Sequence, residues 1–590
     1  MNKLDLIRKG FFPKELPPPF QTTSFADNLD EITTRWNDDY EKMTKRVENE
    51  SRKNWKNRKS KFIDGYSSSK CSEFSISKGK ISRRPLKIPN PKHYAHLANL
   101  ISDNWEKFIN TYSKSEYSKS YPVPEDNDNK RAVATYSKSV QDFRNTLLRI
   151  SLNKRFLVRV DISKFYPSIY THSIAWAFLG KTTAKKYFLM SDQDLSKEVE
   201  DNNEEALLYK FANELDIAIR ACQDKQSIGI PIGPDTSHII SELVACRIDQ
   251  ELNDQFSEIN LQACRFYDDF YLFVNTKDET EKVLKGLQRI LNQFELEVNE
   301  AKIKIKEFPF AFEDEWVTDI FRFDFKKTNL ENSLKHYFSL IWRIAEQNSK
   351  RTDWIFKYAL RIFEFRSVNI TKKSWKIFEA LFLKTALIEP AVLDIVTRIF
   401  LSYKEYLDYE SRREIKNLIE SVIYEHSQVN HHFEVSWSLW LAKTFEVLIT
   451  EEIANVVIDL DDTASQLILL SLANEENLVL GNPNFSKLEE KLVSDVLFSE
   501  DWLLAYEATK KGWLSPSDEN LIEKNNYFKI LNELNVQFYD NERQLEIFDF
   551  NEDIEDVQEF YQNENKQVSK IEKNLEEKEI LDFLHVSNIQ

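Results

Sequence analysis

The sequence predicts an α+β fold for the first part of the chain and an all-α fold for the second, and three observations carry this prediction. Only three of the 16 prolines follow residue 310, so the second part has long stretches without a helix breaker. The first part contains short runs rich in β-branched and aromatic residues, RFLVRV at 155–160 and FYLFV at 270–274. In the second part apolar residues recur at helical spacing, as in the stripe Trp354, Ile355, Tyr358, Ala359, Ile362 and Phe363.

The length and composition exclude several classes of protein. A chain of 590 residues is too long for one compact core, so two or more domains are expected. With 42% hydrophobic and 13% aromatic residues, the chain is not of the disordered class. It has no apolar run of the roughly 18 residues that a membrane span needs, and no secretory signal. The four cysteines show no paired metal-ligand spacing. We therefore expect a cytoplasmic protein without a membrane partner.

The charge is distributed unevenly along the chain. The net charge is −17, but residues 1–310 carry +4 and residues 311–590 carry −21. Residues 42–92 contain 16 basic and four acidic side chains, with aromatic residues among them. Basic residues interleaved with aromatic ones suit single-stranded nucleic acid, through phosphate pairing and base stacking, although a solvated helix is the alternative for residues 42–61. The predicted nucleic-acid contacts are Trp55, Lys56, Arg58, Lys59 and Lys61.

The first candidate catalytic element is a strand that ends on a carboxylate. The apolar run at 156–160 leads directly into Asp161, and further along the chain Asp268 and Asp269 stand between two apolar strands. An aspartate pair alone is typical of an ordinary turn, but the flanking strands predict a hairpin with the acids at its tip. If this hairpin pairs beside the first strand, three carboxylates converge at one sheet edge, where divalent cations relieve their repulsion. Two such ions are suited to phosphoryl transfer.

A second candidate element contains two of the nine glycines. Gly229 and Gly233 flank Pro231, and a predicted helix follows. Such a turn allows a close approach of the backbone to a bound group. Taken alone, it is also typical of an ordinary connection between a loop and a helix.

Together these motifs resemble the palm domain of reverse transcriptases. Asp161 matches the first catalytic motif of that family, residues 266–269 its Y-x-D-D motif with Phe in the first place, and residues 229–237 its G-x-P-x-G-x-x-x-S motif. Residues 299–302 resemble its N-x-x-K motif, and residues 78–89 its fingers strand, R-P-L-G-I-P. The motifs also follow in the family's order. The resemblance implies a right-hand polymerase palm and fingers, followed by an all-α C-terminal domain for which a helical-repeat array is one option.

The resemblance also implies roles for single residues. Asp161 and Asp268 would hold Mg²⁺, with Mn²⁺ as an alternative, and Asp269 would support them. Tyr166 stands where the family has an aromatic gate against the ribose 2′-hydroxyl, which implies dNTP substrates. Lys302 would protonate the pyrophosphate leaving group, unless it is one of several alternating lysines on an exposed strand. The nucleotide-binding residues implied are Lys78, Arg83, Arg84, Tyr166, Gly229, Pro231 and Gly233.

Details of the palm motifs resemble one subgroup, the bacterial abortive-infection reverse transcriptases of the AbiK-like class. The matching residues are 170–174, after the first motif, and 241–243. This resemblance implies antiphage defence and untemplated DNA synthesis, with the DNA product attached to a tyrosine of the protein itself. A partner non-coding RNA and a homo-oligomer stay open. One alternative is a conventional RNA-templated reverse transcriptase, and a second is a non-catalytic palm that serves as a scaffold for a phage-sensing helical domain.

The sequence also gives expected domain boundaries. Residues 1–100 form a basic N-terminal segment with the fingers, and residues 101–315 form the palm. Residues 316–540 form the helical domain, and residues 541–590 form an acidic C-terminal tail.

Overall fold

A computed structural model describes residues 1–545 apart from residues 49, 80, 126–130 and 138. Internal contacts divide the chain into two units, one of residues 1–315 with 416–544 and the other containing residues 316–415. This division differs from the expected boundaries, because residues 416–540 group with the first part of the chain. The expected acidic tail lies outside the described residues from residue 546 onward. Within the described part of the chain, no helix is both long and apolar enough to cross a membrane.

The strands form two hairpins and one larger sheet. They are β1 (Ser72–Lys78), β2 (Ser82–Ile88), β3 (Pro122–Pro124), β4 (Val133–Thr135), β5 (Phe156–Asp161), β6 (Gln262–Phe266), β7 (Asp269–Val274) and β8 (Lys304–Glu307). β1 pairs with β2 and β3 with β4, while the larger sheet has the antiparallel order β6-β7-β5-β8. Both strands predicted from apolar runs are confirmed as β5 and β7.

Helices of the first unit precede, separate and follow these strands. Up to residue 315 they are α1 (Lys3–Arg8), α2 (Thr23–Asp27), α3 (Leu29–Thr44), α4 (Arg52–Gly65), α5 (Pro91–Asp103), α6 (Trp105–Tyr112), α7 (Val140–Ser151), α8 (Phe165–Ser168), α9 (Ser173–Leu179), α10 (Lys181–Phe188), α11 (Asp192–Glu200), α12 (Glu204–Ala221), α13 (Asp235–Gln255) and α14 (Lys277–Gln293). A short 3-10 helix, Glu300–Lys302, precedes β8.

The larger sheet is held by helices whose sequences fit their positions. α14 begins with a capping box in which Thr276 and Glu279 exchange hydrogen bonds, and its apolar face is buried. α13 is buried along most of its length, because it packs against α6, α9 and α14. Leu157 of β5 and Phe273 of β7 pack with residues of α7 and β6 in a common core. The sheet is therefore fixed from several sides, and the strand ends that carry the acids have a rigid base.

The last part of the first unit is helical. After α20 (Tyr409–Ser427), within which the division between the units falls, it contains α21 (His432–Thr444), α22 (Glu451–Ile458), α23 (Thr463–Asn474), α24 (Ser486–Glu489), α25 (Trp502–Lys510) and α26 (Asn526–Glu533). α21 is buried along most of its length and packs on β1. The indole Nε1 of Trp502 donates to the carbonyl oxygen of Ile88 at 3.2 Å, which ties α25 to β2.

The second unit is all-α, as predicted. Its helices are α15 (Glu315–Phe321, which begins one residue before the unit), α16 (Leu330–Gln347), α17 (Thr352–Phe365), α18 (Lys372–Ile388) and α19 (Leu393–Ser402). Aromatic rings dominate its core, with Phe363 in contact with Phe338 and Phe382. The predicted stripe on α17 is confirmed for Ile355, Ala359, Ile362 and Phe363, which are buried. It is wrong for Trp354, which is 66% exposed because it lies beside the stripe.

Candidate active site

Three aspartates meet at one edge of the larger sheet, and we call Asp161, Asp268 and Asp269 the acid edge. Asp161 is the last residue of β5 and pairs in register with Asp269, the first residue of β7. Asp268 lies in the turn between β6 and β7, and its carbonyl oxygen accepts from the amide of Ile162 at 3.0 Å. Opposite residues of an antiparallel pair project their side chains to the same face. The predicted hairpin with acids at its tip is therefore present beside β5.

The acid edge concentrates negative charge. Burial and, after it, the neighbouring carboxylates of Asp161 and Asp269 together raise the pKa of Asp268 to about 6. A nearby cation would stabilise the ionised form of a carboxyl group in this environment, because it would offset the cost of desolvation and the repulsion from the other two carboxylates. The Asp268 carboxyl is therefore suited to hold a divalent ion.

Two basic side chains partly balance the other two aspartates. The Lys302 ammonium Nζ lies 2.7 Å from Oδ2 of Asp161, and the Asn299 side-chain amide donates to Oδ1 at 3.2 Å. Arg159, two residues before Asp161 on β5, donates to the Asp269 carboxylate at 3.0 and 3.3 Å. Residues of the predicted N-x-x-K motif thus contact the first catalytic aspartate directly, and Asp269 is the aspartate with a guanidinium partner.

The fingers hairpin β1–β2 places two of its three predicted nucleotide-binding cations near the acid edge. Partial desolvation lowers the pKa of Lys78, and the positive charges of Arg84 and Lys302 lower it further, while Asp268 and Asp161 act in the opposite direction. Lys78 and Arg84 are both exposed. Lys78 therefore lies near the carboxylates, and Arg84 adds positive charge next to it.

Arg83 does not join these two cations, which corrects its predicted role in nucleotide binding. Successive residues of a strand project to opposite faces, so Arg83 points away from the face of Arg84. Its guanidinium donates to both carboxylate oxygens of Glu434 on α21, at 2.6 and 2.7 Å, and to the carbonyl oxygen of Ser75. Glu434 is 2% exposed, so this bidentate ion pair anchors the hairpin to the helix behind it.

Tyr166 lies on α8, directly after the Asp161 strand. Burial raises the pKa of its phenol, and the charges of Glu242 and Asp268 act in the same direction, whereas a hydrogen bond with Ser241 lowers it. The phenol therefore lies close to Ser241 and Glu242 of α13 and to Asp268.

The glycine turn packs against the protein's own backbone. Gly229 has a φ of +86°, and a Cβ there would lie 3.0 Å from the carbonyl oxygen of Pro167. Gly233 has a φ of +126°, and a Cβ there would lie 2.9 Å from Pro13. Pro231 between them is buried. Close contacts within the chain and positive φ values thus account for both glycines, and the amides of Gly229 and Ile230 donate to the carbonyl oxygens of Ile169 and Tyr166, which ties the turn to α8. The predicted approach to a nucleotide stays a prediction.

The predicted nucleic-acid contacts all lie on α4, but two of them have internal partners. Arg58 binds the Glu50 carboxylate at 2.8 and 3.0 Å and also donates to the carbonyl oxygens of Lys45 and Met43. The Trp55 indole donates to the carbonyl oxygen of Thr44 at 2.8 Å. The Lys59 ammonium lies 5.5 Å from the centre of the Trp55 ring, and Lys56 and Lys61 are exposed. The exposed lysines remain the candidates for phosphate contacts.

The sequence reasoning missed a charged network behind the acid edge. Arg265 on β6 is fully buried and bonds to Glu242 and Asp249 of α13 at 2.8–3.1 Å. It missed Arg159 as well. Both arginines interrupt apolar strands within a few residues of a predicted catalytic aspartate, and this signal is visible in the sequence because a cation inside a strand needs a partner.

Comparisons with known proteins agree with this geometry. Residues 122–312 match the family model of the reverse transcriptase (RNA-dependent DNA polymerase). No curated protein matches the chain. Among solved structures, an apo telomerase from Candida tropicalis is 13% identical with a TM-score of 0.29, over 71% of this chain and 71% of that chain. A telomerase from Candida albicans with a TWJ fragment of telomeric RNA is 13% identical with a TM-score of 0.27, over 71% and 69%.

Because these TM-scores are low, the two structures say nothing further about the fold of this chain. The family match, in contrast, covers the strands and turn that carry the acid edge. The matched residues, about a third of the chain, therefore form a reverse transcriptase domain. The palm is the β6-β7-β5-β8 sheet with its helices, the fingers are the β1–β2 hairpin, and helical segments follow. The chain is accordingly an enzyme, an RNA-directed DNA polymerase-like nucleotidyltransferase.

Reverse transcriptase domains use divalent metal ions, and the acid edge fits such an ion. Carboxylate oxygens are the ligands that hard divalent cations prefer. Asp161 and Asp268 offer two carboxylates, one buried and one with a pKa raised to about 6 by burial and by its acidic neighbours. Asp269 is held by Arg159, which suits a supporting position.

Proposed function

We propose that the chain joins dNTPs into DNA at the acid edge, with Asp161 and Asp268 holding two Mg²⁺ ions and Asp269 in support. The observation that carries this proposal is the meeting of three aspartates at one sheet edge with the cations of the fingers and of Lys302 beside them. Bound divalent ions activate the attacking hydroxyl and offset charge on the leaving oxygens of a phosphoryl transfer. Mn²⁺ can take the same ligands.

The protein's own groups supply position and protons. Lys78 and Arg84 bind the triphosphate oxygens, because both are exposed, Lys78 lies near Asp161 and Asp268, and Arg84 lies near Lys78. The Lys302 ammonium, which lies 2.7 Å from Oδ2 of Asp161, would give a proton to the pyrophosphate leaving group. The Tyr166 ring excludes a ribose 2′-hydroxyl and so selects dNTPs. Gly229 and Gly233 shape the turn beneath it.

We place this activity in antiphage abortive infection in the bacterial cytoplasm. The support is the resemblance of residues 170–174 and 241–243 to the AbiK-like class. On the same ground, synthesis begins on a tyrosine of the protein itself and does not require a template, so that the DNA product is covalently attached. A homo-oligomer is a further proposal on this basis.

A second candidate is RNA-templated synthesis guided by a partner non-coding RNA. The observation in its favour is the family match, whose description is that of an RNA-dependent DNA polymerase. In either case the exposed lysines of α4, Lys56 and Lys61, are proposed to contact nucleic-acid phosphates, with Lys59 and Trp55 beside them. Arg58 supports the helix through Glu50.

The test uses the full chain as purified from cells, given labelled dNTPs and Mg²⁺ without added template or primer. Parallel samples are treated with nuclease or with protease before electrophoresis. We expect a labelled product that migrates with the protein and is released as free DNA by protease. Asp268→Asn should abolish it, whereas Asp192→Asn, a change at an exposed site on α11, should not.

Each alternative predicts a different result. Label that appears only with an added RNA and primer identifies the RNA-templated enzyme. If no condition yields Asp268-dependent product, and Asp268→Asn leaves phage defence intact, the palm is a scaffold and the proposal fails.

A further inference from the structure

The described residues contain one other set of metal-ligand side chains, and its charge disfavours a cation. His426, His431 and Glu434 bring one ligand atom each within 4.8 Å of one another. Both oxygens of Glu434 already bind Arg83, and that guanidinium also lowers the pKa of His431, after the larger effect of burial. A metal ion there would meet the same repulsion. A second group of charged side chains is buried around Arg265 of β6 and lies next to the turn that contains Asp268.

That network consists of one cation, two carboxylates and three serines, all of them buried except the partly exposed Ser115. Arg265, Glu242 and Asp249 are each at most 1% exposed. The serine hydroxyls donate further hydrogen bonds to the carboxylates. Ser115 donates to Asp249 at 2.6 Å, while Ser118 and Ser120 donate to the two oxygens of Glu242 at 2.9 and 2.7 Å. Burial alone would raise the pKa of Glu242, but Arg265 lowers it, so the pair is ionised.

The network also holds the backbone of the residue before Asp268. The Tyr267 amide donates to Oγ of Ser120 at 2.7 Å, and the Tyr267 carbonyl oxygen accepts from Nη1 of Arg265 at 2.8 Å. Tyr267 has a φ of +52°, in the left-handed region that a residue with a Cβ adopts only under constraint. Two hydrogen bonds from buried groups supply that constraint.

We propose that Ser120 and Arg265 are positioning residues, which hold Tyr267 in its left-handed conformation and so set the Asp268 carboxylate for the metal ion. This inference rests on the proposed metal-dependent function of the acid edge. Its reason is geometric, because Asp268 follows Tyr267 directly and the direction of its side chain depends on the backbone of that turn. Groups that orient a ligand in this way typically change metal affinity by about 10–100-fold when they are removed.

Two serines provide a matched pair of variants. Ser118 and Ser120 each donate one hydrogen bond to Glu242, and both are buried, but only Ser120 contacts Tyr267. Ser120→Ala and Ser118→Ala therefore remove the same kind of bond from the same carboxylate. The Ser118 hydroxyl also accepts a longer hydrogen bond from the Ser120 amide, at 3.3 Å, so the difference between the two variants is a lower limit for the hold on the turn. Neither variant removes the buried guanidinium.

The experiment measures Mn²⁺ binding to the full chain by electron paramagnetic resonance, without nucleotide, and the metal concentration that gives half-maximal dNTP incorporation. We expect Ser120→Ala to weaken Mn²⁺ binding about tenfold and Ser118→Ala to weaken it much less, at equal melting temperatures. Ser120→Thr, which keeps the hydroxyl, should restore binding in part.

Equal Mn²⁺ affinity in Ser120→Ala and Ser118→Ala would overturn the inference. A failure of the proposed polymerase is distinguishable from this result. In that case Asp268-dependent incorporation is absent from the unaltered chain, while the binding difference between the two serine variants still decides whether the network positions Asp268.

Discussion

Two clusters of carboxylates adjoin the turn at Tyr267 and Asp268, and they differ in the groups that compensate their charge. In the buried cluster, Glu242 and Asp249 share the guanidinium of Arg265 and accept further bonds from serines. In the other cluster, the acid edge, the pKa of Asp268 is raised to about 6 by burial and by its acidic neighbours. The buried cluster is satisfied within the chain and therefore serves structure. At the acid edge, by contrast, three carboxylates lie close enough for two of them to raise the pKa of the third, and a divalent cation would relieve that repulsion.

The largest effect, on the stability of the fold, is expected from a substitution that breaks the buried cluster. Arg265→Met leaves two buried carboxylates without their cation, which typically destabilises a fold by about 3–5 kcal/mol. Arg159→Met removes the partner of Asp269, but this pair is partly exposed, with the arginine side chain 37% accessible, so about 1 kcal/mol or less is expected. Urea unfolding of both variants measures the difference. Similar losses of stability in the two variants would contradict the division into a structural and a functional cluster.

A smaller effect concerns substrate selection beside the acid edge. Tyr166→Ala should raise the incorporation of rNTPs relative to dNTPs, because the ring that excludes the 2′-hydroxyl is gone. The ratio of incorporation rates measures this change, and Tyr170→Ala, which removes a nearby half-buried ring, serves as the control. An unchanged ratio would show that Tyr166 does not exclude the ribose 2′-hydroxyl.

The smallest effect lies away from both clusters, on α4. Lys56→Ala combined with Lys61→Ala should weaken binding to single-stranded nucleic acid and reduce the slope of log affinity against log salt by about 1–2. Lys282→Ala, at an exposed position on α14, is the control. Filter binding over a series of salt concentrations provides the slope. A slope that does not change would show that Lys56 and Lys61 do not contact the nucleic acid and that α4 is a solvated helix.

The acid edge could be predicted from the sequence because its parts are local. An apolar strand that ends on Asp161 and an aspartate pair between two strands specify a hairpin and a strand end, and antiparallel pairing brings them together. The helical second part could be predicted from periodicity for the same reason. The exception, Trp354, shows that a stripe drawn one residue too wide includes a side chain that faces solvent.

Features that depend on distant partners could not be predicted. Arg83 is next to Arg84 in the sequence, but because side chains alternate along a strand it projects to the opposite face, where it binds Glu434 of α21. The two glycines of the turn at 229–233 pack closely against Pro167 and Pro13, which the sequence did not predict. In each case the partner lies far away along the chain, so no local pattern identifies it.

The most direct test of the account is Mn²⁺ binding by the acid edge, measured for the unaltered chain and for Asp268→Asn, with Asp192→Asn as the control. The account predicts that Asp268→Asn abolishes high-affinity binding and that Asp192→Asn does not. It also predicts a pH dependence: protons compete with the metal for Asp268, so binding to the unaltered chain should weaken as the pH falls through about 6. Mn²⁺ binding of the same affinity and pH dependence in Asp268→Asn would contradict the central claim.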